Sequence, residues 1–74
     1  MKLLESDFSF SKRMRNFFLF MEFTTVADLV AIPLEKFTCF KGFKLKCKQE
    51  LIAFIKFEGL ENHFEGFSKW KSSP

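Results

Sequence analysis

Apolar residues in this chain recur for the most part at spacings of three and four, and no strand is read from the pattern. Met14, Phe17, Phe18 and Met21 set the pattern, which is the period of a helix buried along one face. The breaks in the pattern keep each helix short. Thr25, Pro33, Gly42 and Gly59 interrupt the periodic stretches, and each suits the start or end of a helix. The expected fold is therefore all-α, a compact bundle of four to five short helices.

The local signals place those helices. Ser9 or Ser11 caps a first helix through SKRMRNFFLFME, with Phe20 off its apolar stripe. Thr25 followed by Asp28 resembles a capping box and opens VADLVAI, whose Val26, Leu29 and Val30 form one face. Pro33 suits the first turn of a further short helix, LEKFTCF, with Leu34, Phe37 and Phe40 inward. Lys41-Gly42-Phe43 forms a tight hairpin. A longer helix follows from about Lys44 to Glu58, with Cys47, Leu51 and Phe54 or Ile55 on its apolar side. Gly59 ends it in a left-handed cap, and Leu60 supplies the accompanying apolar contact.

A chain of 74 residues permits one domain and buries a modest share of its surface. Thirteen phenylalanines meet that difficulty, since each buried ring removes roughly 150–250 Å² from water. The absence of tyrosine leaves few buried hydroxyls to satisfy. Residues 1–8 read as an N-terminal arm, 9–61 as the helical domain and 62–74 as a tail. Phe64, Phe67 and Trp70 recur every third residue and pack that tail partly on the core, with Lys71–Pro74 frayed.

The net charge is +3, which permits a polyanionic partner without requiring one. Its distribution is more informative. KRMR at residues 12–15 and KGFKLKCK at 41–48 contain cations and no acid. Cys39 and Cys47 form no CxxC pair, and with His63 they fall short of the four ligands of a zinc site. Both read as reduced, mostly buried cysteines. With one histidine and three glycines, the chain offers no catalytic set and no phosphate-cradling loop, so it is expected not to be an enzyme. No cofactor or metal is expected. MKLLESDFSF carries acids where a secretory leader needs an apolar run, and Phe17–Met21 is too short to span a bilayer. A cytoplasmic protein without membrane attachment is expected.

Three segments carry a resemblance to a known family. They are Arg13-Met14-Arg15-Asn16, then Phe23-Thr24-Thr25-Val26-Ala27-Asp28-Leu29, then Gly42 through Leu51 (GFKLKCKQEL). In order, and with ungapped spacing, they resemble the C-terminal domain of the bacterial RNA polymerase alpha subunit. The resemblance covers roughly residues 8–60. It implies a helix-hairpin-helix-like unit and weak binding to A·T-rich DNA with low sequence specificity. It also implies contact with RNA polymerase or a sigma factor. Arg13 would enter the minor groove, where narrow A-tracts concentrate negative potential. Asn16 would bond nearby, Lys46 would meet phosphate, and the start of the last helix would offer N–H groups to phosphate oxygen. The sequence departs from the family at Lys44, where the family keeps glycine, at Cys47 for serine and at Lys48 for leucine. Phe17 and Leu19 replace polar or small residues that face DNA. A standalone module is expected, since the subunit's N-terminal assembly region has no counterpart here.

The candidate DNA-binding residues are thus Arg13, Asn16, Lys41, Lys44, Lys46 and Lys48. For Arg13 and Asn16 the alternative is a solvated first helical turn, and for the lysines an ordinary charged surface. Glu50 is expected to pair with Lys46 one turn earlier. Phe20 marks a protein contact or a dimer seam, or else lies under the tail aromatics. A monomer or weak homodimer is expected, and a protein-interaction module on the same fold is the competing reading.

Overall fold

The computed structural model describes residues 1–73. Its five helices among those residues are α1 (Lys12–Met21), α2 (Val26–Val30), α3 (Leu34–Phe37), α4 (Leu45–Phe57) and α5 (Phe67–Ser72). Single 3₁₀ turns at Leu3–Glu5 and Glu61–His63 complete the order. No strand occurs among the described residues. One isolated antiparallel bridge joins Lys2 to Thr25. The all-α bundle expected from the apolar spacing is the architecture observed.

Each helix begins and ends for a local chemical reason. The Ser11 hydroxyl accepts the Met14 N–H at 3.1 Å and caps α1. At the other end Glu22 adopts a left-handed conformation, φ 59° and ψ 34°. That conformation lets the Phe23 N–H reach back to the Phe18 carbonyl at 2.9 Å and close the last turn. Thr25 and Asp28 form the full reciprocal capping box at the start of α2. Pro33 stands at the N-cap of α3, one position ahead of the first turn. Gly59 closes α4 as expected, with φ 66° and the Leu60 N–H on the Ile55 carbonyl at 2.9 Å.

The bundle measures 27 × 26 × 20 Å, about two helix diameters through its thinnest dimension. Every helix therefore faces the same core. Met14, Phe18, Leu29, Phe37, Leu51, Phe54 and Ile55 fill it. The rings interlock edge to face. Phe10 meets Phe18 at 5.0 Å and 86°, and Phe37 meets Phe40 at 5.6 Å and 83°. Such pairs contribute about 0.5–1.5 kcal/mol each beyond their buried area. Phe40 is half-buried at the core edge.

The tail packs on the core through Phe64, Phe67 and Trp70, all buried, with α5 against α3. It is less frayed than expected. Helix α5 runs through Ser72, and Ser73 accepts two hydrogen bonds from Lys48. The expected fraying of Pro74 lies outside the described residues.

Residues 1–8 do not form a free arm. Leu3 is fully buried, and its N–H donates to the Thr24 carbonyl at 2.9 Å. The Met1 carbonyl accepts the first N–H of α2, that of Val26, at 2.9 Å. This satisfies one of the donors that every helix start leaves free. The Ser6 hydroxyl donates to the Glu58 carboxylate. The apolar Leu3 and Phe8 are what draw the segment inward.

Candidate nucleic-acid interface

Two contacts fix the relation between α1 and α4. Glu50, on the second turn of α4, accepts the Ser11 N–H at 2.5 Å and the Ser11 hydroxyl at 2.8 Å. Phe17 meets Phe43, just ahead of α4, with centroids 5.3 Å apart. Later residues of α1 thus face earlier residues of α4, so the helices run antiparallel. Glu50 is engaged by Ser11 and not by Lys46, contrary to the local pairing expected. Carboxylate acceptance of an orphan N–H is the stronger interaction of the two.

Arg13 and Asn16 are exposed on α1. They stand three residues apart on one helix face, and this face borders Phe17 and hence the hairpin. In the hairpin, Gly42 takes φ 89°, and Phe43 is buried against Phe17 and Phe37. Anchoring Phe43 turns its neighbours outward, and Lys41 and Lys44 are both exposed. Cys47 is buried, and its thiol donates to the Gly42 carbonyl at 3.7 Å, bracing the turn from inside.

Lys44 is the N-cap of α4, with extended φ −111° and ψ −176° and no side-chain cap. Any residue adopts that backbone, so the position makes no conformational demand for glycine. The first turn of α4 has no acid. It therefore pairs exposed backbone donors with the cations of Lys44 and Lys46, an arrangement unfavourable to the helix dipole. Lys46 is exposed one turn before Glu50, on the flank of α4 that meets the start of α1.

Lys48 does not belong to this surface. It is buried, and its ammonium donates to the Ser73 carbonyl and hydroxyl, each at 2.9 Å. On the helix it follows Cys47 and shares a face with Leu51 and Ile55, so its stem runs inward. Five of the six candidate residues are therefore exposed on α1, the hairpin and the start of α4. The sixth is a structural tie to the tail.

The single ion pair among the described residues joins Lys2 to Glu5 at 3.9 Å. Arg13, Lys41, Lys44 and Lys46 are thus without carboxylate partners there. Arg15 differs from Arg13 in bonding back to the Phe10 carbonyl at 3.1 Å.

Phe20 is 74% exposed and Leu19 67% exposed. The tail aromatics do not cover Phe20, because they pack at α3 instead. Cys39 is exposed, contrary to the burial expected, because it lies past the last buried turn of α3. His63 is also exposed. Among the described residues no cluster of His, Cys, Asp or Glu is arranged to hold a metal ion. No helix there is long and apolar enough to cross a membrane.

An open groove lies between the α2–α3 junction and α5, lined by Ile32, Pro33, Phe64 and Trp70 with Glu35 and Lys69 at its margin. Comparison with protein-family models, characterised proteins and solved structures gives no match.

Proposed function

We propose that the chain is a non-enzymatic DNA-binding domain that meets phosphates and the minor groove of A·T-rich duplexes with low sequence specificity. The observation that carries this reading is the grouping of exposed, carboxylate-free cations on two adjoining elements, Arg13 on α1 and Lys41, Lys44 and Lys46 around the hairpin. Arg13 reaches into the groove beside Asn16, while the lysines engage phosphate. The order α1, two short helices, hairpin, long helix supports the likeness to the RNA polymerase alpha C-terminal domain. In that reading α3, the Gly42 turn and α4 form the helix-hairpin-helix-like unit.

The test is a titration of labelled protein with A·T-rich and G·C-rich duplexes at low salt, following backbone amide signals. Signals of Arg13, Asn16 and Lys46 move with the A·T duplex, and the shifts fade as salt rises. Absence of movement with both duplexes removes the reading.

The exposure of Leu19 and Phe20 favours a second reading, in which the same face contacts protein, either the transcription machinery or a second copy. Such a contact persists in salt and shifts signals around Phe20 as protein concentration rises.

A further inference from the structure

We infer that Phe20 is a stacking platform for unpaired bases, so that the strand this face prefers is single-stranded rather than duplex nucleic acid. The inference rests on the reading that this face binds nucleic acid, and puts a single strand in place of the duplex as the preferred ligand. Phe20 follows Asn16 by four residues and Arg13 by seven, so all three lie on one exposed stripe of α1. The stripe spans about 10 Å along the helix axis. Helix α1, KRMRNFFLFM, has three cations and no acid. Its stripe also borders the lysine-bearing hairpin through the Phe17–Phe43 contact.

The surroundings of Phe20 select its occupant. An apolar protein partner laid on Phe20 would desolvate Arg13 and the neighbouring cations without compensating their charge. A nucleic-acid strand offers phosphates to the cations and a flat π-face to the ring, and so satisfies both. In an intact duplex those faces are closed within the stack, and a side chain gains access only by unstacking a step. An unpaired strand presents them without that cost. Phe20 is 74% exposed and no ring among the described residues stacks on it, so the platform is open. The helix that carries it is anchored, because Phe17 and Phe18 on the same turn are buried.

The experiment compares labelled oligothymidine with an A·T duplex of equal length, by fluorescence anisotropy across a salt series. The proteins are the wild type, Phe20→Leu and Phe20→Trp. Position 20 is exposed, so the variants keep the fold, which circular dichroism verifies. Leucine keeps apolar area but loses the flat face, whereas tryptophan keeps it. The expected result is tighter binding to the single strand, a loss of about tenfold in Phe20→Leu for that strand alone, and no loss in Phe20→Trp. Duplex binding that equals or exceeds single-strand binding, unaltered in Phe20→Leu, overturns the inference and leaves the duplex reading standing. No binding of either probe at low salt overturns both. A concentration-dependent dimer in sedimentation, lost in both Phe20 variants, assigns the ring to self-association and also overturns the inference.

Discussion

The Lys48 ammonium lies 5.0 Å from the centroid of the Trp70 ring. The same nitrogen donates twice to Ser73, so one side chain of α4 holds both the face of α5 and the residue after its end. A buried cation is tolerable here because ring quadrupole, carbonyl and hydroxyl all face it. The indole Nε1, by contrast, is buried without a hydrogen-bond partner among the described residues. Cation and ring together therefore dock the tail.

Removing the cation should loosen that docking. Lys48→Ala is expected to destabilise the domain by about 1–3 kcal/mol, with the loss concentrated in α5. The chain has a single tryptophan, so the emission of Trp70 reports directly on the tail. A red shift under native conditions, ahead of global unfolding, is the expected signature. Unchanged emission together with unchanged stability would show that the tail docks through Phe64 and Phe67 alone.

Glu22 is the described residue other than glycine with positive φ. A side chain in that region costs roughly 1–2 kcal/mol, and the loss is borne because the turn it permits satisfies the Phe18 carbonyl. Glu22→Gly removes the strain at some cost in unfolded-chain entropy. The net gain is expected at up to about 1 kcal/mol, which raises the melting temperature by roughly 4–8 °C for a domain of this size. Calorimetry checks it, and a lower melting temperature contradicts the account.

The capping box of α2 makes stability depend on acid pH. Asp28 accepts the Thr24 N–H at 2.8 Å and the Thr25 N–H at 3.0 Å. These backbone donors, Thr24 first, hold its carboxyl below the ordinary aspartate value of 3.8. The folded state therefore binds its proton less readily than the unfolded state does. The resulting stabilisation is complete above the ordinary value and is lost as pH falls through the lower folded value. Thermal melts of the wild type and Asp28→Asn should converge as pH drops below 3.8 and separate above it. Thr25→Ala, which removes the reciprocal acceptor, costs about 1 kcal/mol at neutral pH.

These features divide by the distance over which they act. The Thr25–Asp28 box, the Ser11 cap and the Gly59 closure were legible because each is complete within a few residues. Glu22 was not, since its left-handed turn uses no glycine to mark it. The Ser11–Glu50 bonds join positions 39 apart, and nothing local in Glu50 distinguishes that partner from Lys46. Lys48 had a readable signal that the basic run KLKCK obscured. It stands three before Leu51 and seven before Ile55, on the buried stripe. Leu3 and Phe8 likewise carried the apolar content that ties down the N-terminus. For the candidate interface, sequence indicated which residues carry charge, whereas the packing of Phe17 on Phe43 and Phe40 is what brings α1 and the hairpin together.

Burial separates the lysines in a way that salt can measure. Each phosphate neutralised by the domain contributes about 0.9 to the slope of log K against log salt for duplex DNA. Lys46 is exposed and without a carboxylate partner among the described residues, whereas Lys48 is spent on Ser73 and Trp70. Lys46→Ala should therefore lower the slope by about 0.9 and weaken binding alike for A·T-rich and G·C-rich duplexes. Arg13→Ala should instead reduce the preference between them, because the role proposed for its side chain is in the groove. Lys48→Met keeps most of the buried stem and should leave the slope unchanged. Equal slope losses at Lys46 and Lys48 would mean that α5 lifts away on binding and frees the buried ammonium for phosphate.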